Sequence, residues 1–532
     1  MSSSALTGSA GRDGADAAIH GAVDRPLSSH YALIVGVAVL VTLPLLLPPV
    51  LPLTDLGGHL GRSAVQLDAG RDPLLAQWYS FSWQLLPNLG ADLLVQALTP
   101  LIGLEPAVRV IAMLAVFLQG LGILATSRAL HGRITPFAIF ALPLLYAHST
   151  LYGFLNYMLA LGLLWCSLAL WVAMSRDGGA RFRWPTFALI AIVMWVCHLV
   201  GWGLLCIAVG SQELTREVER RGLSVRALGA TALSLSWLLV PWIVKLLAFQ
   251  PATGIGRSSE LFAVTRKWGE LLAVFRDQWH AWDIASIAVI GALIVGSWLT
   301  KWTRLQSGMF LAAAITGVCV LVVPQRLLGS FFADQRLIEP ALVFALLAIG
   351  LSGRGPASLP RALLVAAVAF SGARLAGNAI SLWQLGNRSA NALAVLNDLP
   401  RNVQLVTFRA LSCPPPKPWT FDRWTHLAGY ALARRHAFAN DQWQLPGGQL
   451  LRVHNPALGR FQADDSQIVY EVRCRGKASV ATKAERVPGA VPYLWVIWSG
   501  PPKPLDSWTP LARNGSSVLY RRSGLPPFSA RQ

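Results

Sequence analysis

The segment TDLGGHLGR contains an acid, a base and a cation at helical spacing. Asp55, His59 and Arg62 are separated by four and three residues, which places them on one face of a helix beginning at Thr54 or Asp55. A carboxylate can accept a proton from a hydroxyl group, and an arginine can bind phosphate oxygens. The spacing predicts acid–base chemistry on an anionic substrate or, alternatively, a capped helix start whose basic residues contact lipid headgroups.

The role of His59 has three alternatives at this point. It can hydrogen-bond a phosphate, orient Asp55, or share a divalent metal ion with Asp55. Two ligands form an incomplete metal site, so the sequence assigns no cofactor and a divalent metal stays an open alternative. The chain contains no glycine-rich phosphate loop with its lysine, which argues against direct use of ATP.

The composition indicates where this segment lies. Of 532 residues, 54% are hydrophobic and only 13% are charged, which predicts a polytopic membrane protein of mainly α-helical structure. Residues 1–30 are rich in serine, alanine and glycine and are expected to form a disordered cytoplasmic tail. The apolar run 31–51 has no cleavage pattern after it and is expected to remain as a membrane helix. Asp55 therefore lies at a membrane boundary, where an unpaired carboxylate is costly.

Ten apolar runs predict about eleven transmembrane helices, provided that the run 185–211 crosses twice. Basic loops flank that run on both sides, so the positive-inside rule requires two short helices that fold back near CHLVGWG. The N-terminus is then cytoplasmic, and the chain after the membrane module, 31–387, is extracytoplasmic. The runs are 31–51, 108–126, 134–151, 154–174, 185–211, 227–249, 284–299, 305–323, 337–351 and 362–382.

This orientation places two further segments beside Asp55 on the extracytoplasmic side. The first loop, 52–107, is long enough to be functional, and its ADLLVQALTPLIGL stretch predicts an amphipathic helix at the membrane interface. In a later turn, His148 and Asn156 are candidates for substrate binding. The alternative for both is that they satisfy backbone groups at helix ends.

Two arginines bracket the stretch PQRLLGSFFADQR on the same side. Arg326 and Arg336 are candidates for binding a phosphate, because the planar guanidinium group can contact two oxygens at once. For Arg336, an ion pair with Asp334 or Glu339 is the alternative.

The C-terminal region, 388–532, is predicted to form a small extracytoplasmic α/β domain. It has 19 Lys and Arg against 8 Asp and Glu, a net charge of +11. This favours an anionic neighbour, such as lipid headgroups, a phosphate-linked substrate or an acidic polysaccharide, and a nucleic acid is not expected on that side. Proline-rich turns separate the predicted strands, which are 402–408, 467–472 and 493–498.

Within this domain, WTHLAGYALARRHAF places His426 and Tyr430 four residues apart on a predicted helix. Both are candidates for closing over a bound substrate, and packing with a solvated edge is the alternative. Asp464 and Asp465 are adjacent acids in a polar turn and are predicted to lie at the surface.

The six cysteines lie in two different sequence environments. Four lie in apolar runs, where a thiol behaves as a small buried hydrophobe. Cys413 and Cys474 lie in the C-terminal region, and either one disulfide or two free thiols fits their positions.

Together these features resemble the GT-C glycosyltransferases, which use polyprenyl-phosphate-linked sugars as donors. The shared features are many helices, an acid directly after the first helix, a long first extracytoplasmic loop and a C-terminal extracytoplasmic domain. The resemblance covers 31–382 in topology, and in motif it rests mainly on LPLTDLGGHLGR. GT-C members often have two adjacent acids in this loop, whereas Asp55 stands alone beside Thr54.

The resemblance implies an enzyme that transfers a sugar from a polyprenyl phosphate to a lipid, glycan or protein acceptor. The reaction would occur at the extracytoplasmic face of a bacterial-type cytoplasmic membrane, in direct displacement with inversion. Asp55 would be the general base. The residues expected to bind substrate are His59, Arg62, Arg326, Arg336, His148, Asn156, His426 and Tyr430.

Two other classes of protein fit the composition. A transporter or flippase of an amphiphilic envelope precursor would require interrupted helices in matching halves, and the sequence contains no internal repeat. A non-enzymatic assembly factor for envelope polysaccharide would use the basic C-terminal domain alone.

Overall fold

The described part of the chain is mainly α-helical, as predicted. The computed structural model describes residues 27–176, 180–248, 258–259, 263–327, 329–413, 419–420, 422–445 and 447–525. Most of the predicted tail, residues 1–26, lies outside the described residues. The first helix begins at Leu27, within that predicted tail.

The helices of the described residues fall into a membrane module and a C-terminal region. They are α1 (Leu27–Leu40), α2 (Leu43–Leu46), α3 (Leu56–Asp68), α4 (Pro73–Ala76), α5 (Gly90–Ile102), α6 (Leu104–His131), α7 (Pro136–Ala141), α8 (His148–Tyr152), α9 (Leu155–Arg176), α10 (Ala180–Cys197), α11 (Leu199–Arg221), α12 (Val225–Ser234), α13 (Val240–Leu247), α14 (Val264–Leu272), α15 (His280–Leu299), α16 (Ser307–Val322), α17 (Ile338–Ala348), α18 (Leu359–Leu393), α19 (Gly429–Arg435) and α20 (Val480–Glu485).

The predicted number of about eleven membrane spans is not confirmed. By length and composition, four described helices can cross a membrane, and a pair bent by 53° makes five if it counts as one span. The four helices are Leu104–His131, Leu155–Ser175, His280–Leu299 and Leu359–Asp398.

Several predicted spans are broken or short in the structure. The run 134–151 divides into α7, a 3₁₀ turn over Leu142–Tyr146 and α8, because Pro143 cannot donate to a continuous helix. The run 337–351 forms an eleven-residue helix and then a strand. Apolar composition alone therefore does not give the length of a helix.

The predicted fold-back of the run 185–211 is present. The chain breaks at His198, whose Nδ1 accepts a hydrogen bond of 3.2 Å from the backbone N–H of Val200 at the start of α11. Arg183 of α10 and Glu213 of α11 are equally far from His198 in sequence and form a buried ion pair at 3.2 Å. The two helices therefore lie side by side in opposite directions.

The C-terminal region contains a five-stranded sheet with the order β6-β4-β7-β9-β8. Strand β4 is parallel to both of its neighbours, and the other pairs are antiparallel. The three predicted strands correspond to β4, β6 and β7, whereas the β8–β9 hairpin was not predicted. The strands of the chain are β1 (Tyr79–Phe81), β2 (Thr303–Leu305), β3 (Ile349–Leu351), β4 (Leu405–Leu411), β5 (Leu451–Val453), β6 (Ile468–Tyr470), β7 (Tyr493–Ile497), β8 (Trp508–Asn514) and β9 (Ser517–Arg522).

The first long loop and the C-terminal region pack against each other. Strand β1 of the loop pairs antiparallel with β5. The Tyr79 hydroxyl donates to the carbonyl oxygen of Ala439 at 2.8 Å, and Asn88 Nδ2 donates to that of Gly448 at 2.9 Å. The predicted amphipathic segment of this loop is helical as α5.

Buried ion pairs join the C-terminal region to the membrane helices. Arg423 contacts Asp277 at 2.6 Å, and Arg374 of α18 contacts Asp283 at 2.7 Å. Trp419 donates its indole N–H to Asp283 at 2.6 Å. Because an unpaired charge is costly when buried, these pairs favour one docked position of the C-terminal region.

Glycines allow α3 to approach the C-terminal region closely. A Cβ atom added to Gly57 would overlap the carbonyl oxygen of His426, and one added to Gly58 would overlap the ring of Trp443. From the other side, a Cβ atom at Gly429 would overlap the backbone of Gly57. The glycines of LGGHLG therefore form a contact surface, and they hold the start of α3 against His426.

We predict that Gly57→Ala destabilises the protein, because the added methyl group meets backbone atoms that cannot rotate away. Overpacking of this kind costs about 1–3 kcal/mol. The measurement is the apparent melting temperature of the purified chain in detergent. Gly203→Ala is the control, since a Cβ atom there meets nothing within 4 Å. Equal melting temperatures for the two variants would contradict this packing.

Candidate active site

Asp55 lies at the start of α3, but its side chain does not cap the helix. It occupies the N-cap position with no side-chain capping hydrogen bond. Its backbone N–H donates to the carbonyl oxygen of Tyr152 at 2.8 Å, and that of Thr54 donates to Leu151 at 3.3 Å. The turn after α8 thus holds Asp55 by its backbone, and the carboxylate is available for another role.

His426 of the C-terminal region faces Asp55. Its Nε2 lies 3.8 Å from Asp55 Oδ1, and its Nδ1 lies 2.8 Å from the carbonyl oxygen of Asp441. A carbonyl oxygen only accepts hydrogen bonds, so Nδ1 carries a proton and Nε2 is the nitrogen that titrates. His426 precedes α19 and has a φ of 64°, so the prediction that it lies on that helix is wrong.

Two further acids complete this cluster, and neither was predicted to belong to a site. Asp464 Oδ1 lies 3.4 Å from His426 Nδ1 and accepts a hydrogen bond of 2.6 Å from Gln467 Nε2. Its side chain is 34% exposed, so Asp464 lies at the surface as predicted and also connects the cluster to solvent. Asp441 is fully buried, and Gln442 donates to its Oδ1 at 3.0 Å.

Burial and neighbouring charges set the protonation of the cluster. Burial raises the pKa of Asp55 from 3.8 to about 6, although the cations of His426 and Arg336 act in the opposite direction. Burial also raises the pKa of Asp441 to about 6. For His426, burial lowers the pKa, but the carboxylates of Asp464, Asp55 and Asp441 outweigh it and the net change is upward. Asp55 and His426 therefore influence each other's titration.

His59 is buried beneath this cluster. Its ring meets that of Trp443 edge-on at 5.7 Å, and Trp443 also contacts the ring of His426 at 4.5 Å. Burial lowers the pKa of His59 well below its ordinary value, and Arg62 and His426 lower it further. His59 is therefore neutral and supports the site through packing.

Arg336 of the membrane module acts on the Asp55 carboxylate more strongly than Arg62 does. Its Nη1 donates to Ser330 Oγ at 3.0 Å, and its guanidinium lies 4.2 Å from the ring centroid of Phe154. Among the described residues, no ion pair joins Arg336 to Asp334 or Glu339, so that alternative is wrong. Asp334 instead contacts Arg266 and Lys267.

Tyr152 and His148 extend the site below Asp55. Their rings lie 3.9 Å apart. Burial raises the pKa of Tyr152 to about 12, while Arg276 lowers it and the Asp55 carboxylate raises it. Burial lowers the pKa of His148, and Arg276 and Arg336 lower it further. The positive charges of Arg276 and Arg336 therefore act on the side of the site formed by Tyr152 and His148.

Two predicted substrate-binding residues hold the first loop in place instead. Arg62 forms a buried ion pair with Asp92 of α5, with Nε and Oδ1 3.2 Å apart. The side chain of Asn156 accepts from the N–H of Ala91 at 2.5 Å and donates to the carbonyl oxygen of Asn88 at 2.9 Å. Both side chains thus make contacts within the protein, and their predicted role in binding substrate stays a prediction.

Two other candidates, Arg326 and Tyr430, contact aromatic and charged side chains of their own. The guanidinium of Arg326 stacks on the ring of Phe331 at 3.8 Å. Tyr430 is buried beside Arg434, whose guanidinium contacts the carboxylate of Glu105 at 2.7 and 2.9 Å. Tyr430 also lines a small cavity with Thr54 and Gly57, which flank Asp55 and the start of its helix.

An apolar groove of about 550 Å³ lies between α14, α15, α16 and α17. Lys267 lies at its end nearest the site, and donates to the carbonyl oxygens of Val320 and Val323 at 2.7 and 2.5 Å. Ile338, two residues after Arg336, lines the same groove. The groove therefore leads from the membrane towards Arg336.

The remaining predictions concern covalent and metal chemistry. Cys413 and Cys474 form a disulfide, which closes the segment containing His426, Asp441 and Asp464. Within the described ranges, no group of three or more His, Cys, Asp or Glu residues could hold a metal ion.

The solved structures that are similar to this chain include two of one protein, whereas no family model and no curated protein sequence matches it. One is ArnT from Cupriavidus metallidurans bound to undecaprenyl phosphate, with 14% identity over 93% of this chain and 98% of that chain and a TM-score of 0.46. The other is the same protein in the apo state, with 14% identity over 92% and 97% and a TM-score of 0.48. ArnT is a GT-C glycosyltransferase, the family that the sequence resembles. Because both TM-scores are below 0.5, the likeness supports no conclusion about activity, substrate or site residues.

We predict that Asp55 titrates near pH 6. In infrared spectra of the purified chain, the band of protonated carboxyl groups should decrease as the pH is raised, with a midpoint near pH 6. The Asp55→Asn variant should lack part of this decrease. Asp441→Asn should remove a separate part. His426→Gln should raise the Asp55 midpoint, because it removes a cation beside the carboxylate. A titrating band that is unchanged in Asp55→Asn would contradict the assignment.

Proposed function

We propose that the chain is an integral-membrane glycosyltransferase that moves a sugar from a polyprenyl-phosphate donor to a hydroxyl group of an acceptor. One observation carries the proposal. The Asp55 carboxylate makes no capping hydrogen bond, faces His426 and lies within the electrostatic influence of Arg336. A base beside a phosphate-binding cation is the arrangement that displacement at a sugar phosphate requires.

In the proposed reaction, Asp55 accepts the proton of the acceptor hydroxyl while the oxygen attacks the anomeric carbon. The bond between that carbon and the phosphate oxygen breaks, and its electron pair leaves with the lipid phosphate. Attack opposite the leaving group inverts the anomeric configuration. Arg336 stabilises the charge that develops on the phosphate, because a guanidinium does not lose its proton.

The proton is proposed to leave Asp55 through His426. Nε2 accepts it from the carboxyl group, while Nδ1 keeps its own proton on the carbonyl oxygen of Asp441. The carboxylate of Asp464 stabilises the resulting imidazolium until Nε2 releases the proton to solvent after the products leave. Because the pKa of Asp55 is about 6, the base is mostly ionised at neutral pH and can still pass on a proton. The proposed function of His426, which lies between the carboxylates of Asp55 and Asp464, is therefore proton transfer.

The donor lipid is proposed to occupy the groove between α14 and α17. Its walls are apolar along the membrane helices, as an isoprenoid chain requires. The groove ends near Arg336, so a chain within it would present its phosphate to that guanidinium. We further propose the predicted arrangement of the chain, with module 31–387 in a cytoplasmic membrane and region 388–532 on its outer side.

We predict that Asp55→Asn lowers the transfer rate by at least about a hundredfold, because general-base catalysis contributes about 10²–10⁴. The measurement is release of undecaprenyl phosphate from a panel of undecaprenyl-phosphate-linked sugars with envelope extract as acceptor. Asp465→Asn changes an exposed acid and should retain full activity. Unchanged turnover by folded Asp55→Asn would exclude this residue as the base.

For Arg336, we predict that replacement by Gln lowers kcat by about a hundredfold, since a donor aimed at developing charge acts mainly in the transition state. Arg354→Gln is the control, because it removes the charge of an exposed arginine that has no described contact with the site. The same assay measures both variants. A loss of equal size in the two variants would contradict a specific role for Arg336.

A further inference from the structure

A second apolar groove runs between α1, α6, α7 and α18 and has a volume of about 570 Å³. Its lining along α18 extends from Leu364 to Asn378, about 21 Å along the helix axis. One leaflet of a bilayer has a hydrocarbon layer of about 15 Å. The groove is therefore deep enough for an acyl chain.

The basic end of this groove lies on the membrane face opposite Asp55. Helix α6 begins beside the C-terminal region, where Glu105 contacts Arg434 at 2.7 Å. Arg128, which lines the groove, is on the same helix about 35 Å further along. The groove therefore opens towards the leaflet opposite the proposed active site.

Two arginines lie at this end. Arg128 Nη1 is buried and has no hydrogen-bond partner among the described residues, and its guanidinium lies 4.8 Å from the ring centroid of Tyr31. Arg133 lines the same end and is exposed. A buried donor without a partner is costly, and a phosphate oxygen would satisfy it.

We propose that this groove binds an anionic phospholipid of the leaflet opposite Asp55. Arg128 and Arg133 contact its phosphate, and one acyl chain lies between α1 and α18. The charge at the mouth selects an anionic headgroup over a zwitterionic one, because cationic side chains near a membrane attract anionic lipid. The site does not depend on the proposed transfer reaction.

The test is native mass spectrometry of the full chain in detergent, with dioleoyl phosphatidylglycerol and dioleoyl phosphatidylcholine at equal concentration. The wild-type chain should retain phosphatidylglycerol in preference to phosphatidylcholine. The double variant Arg128→Gln with Arg133→Gln should bind it on the order of tenfold more weakly, since each cation contributes to attraction of anionic lipid. Arg354→Gln with Arg361→Gln removes two exposed charges outside the groove and should bind normally.

A second variant tests the groove without altering charge. Gly372 lines the groove, and a Cβ atom there meets nothing within 4 Å. Gly372→Leu places an apolar side chain where the acyl chain would lie and should abolish retention of phosphatidylglycerol. Gly203→Leu, at another open glycine, should not. Equal retention of the two lipids by the wild type would overturn the proposal. So would a loss of phosphatidylglycerol binding in the Arg354 and Arg361 double variant as large as that in the Arg128 and Arg133 double variant.

Discussion

The contact between Asp55 and His426 is the interaction on which the rest of the structure depends. The two residues are far apart in sequence, and they meet only if the C-terminal region docks against the start of α3. The glycines of LGGHLG allow that approach, and the turn after α8 holds Asp55 by its backbone. A buried carboxylate is costly without a partner. The docked C-terminal region supplies His426, which lowers the free-energy cost of burying Asp55.

The same docking is supported by buried charges below the site. Arg423 and Asp277 bring the C-terminal region to the loop before α15, and Asp283 joins Trp419 to Arg374 of α18. Removing one member of such a pair costs about 3–5 kcal/mol, because the other charge stays buried. These contacts hold the C-terminal region in position on the membrane helices. Arg62 and Asn156 hold the first loop in position in the same way. The polar groups nearest Asp55 thus divide into those that hold loops and those that face the substrate space.

The sequence predicted part of this arrangement for physical reasons. An acid after an apolar run, with helical spacing to His59 and Arg62, placed Asp55 at a helix start near a membrane boundary. The basic loops around the run 185–211 predicted its fold-back. Long-range contacts could not be predicted, because spacing within a segment does not reveal its distant partner. Asp92, an acid in an otherwise apolar helix, was the available signal that Arg62 is paired.

The C-terminal part of the site shows the same limit. His426 and Tyr430 were assigned to one helical face, but the left-handed backbone at His426 ends that periodicity before α19 begins. Asp464 was noted only as a member of an acidic turn, and nothing local indicated that the turn reaches His426. The predicted number of membrane spans is not confirmed, because several apolar runs divide into short helices, one of them at a proline.

A double-mutant cycle on the transfer rate tests the central claim most directly. The variants are Asp55→Asn, His426→Gln and the combination of both. If Asp55 and His426 act as one proton-transferring unit, the double variant should be no slower than Asp55→Asn alone. Losses that multiply in the double variant would show independent roles and would contradict the account.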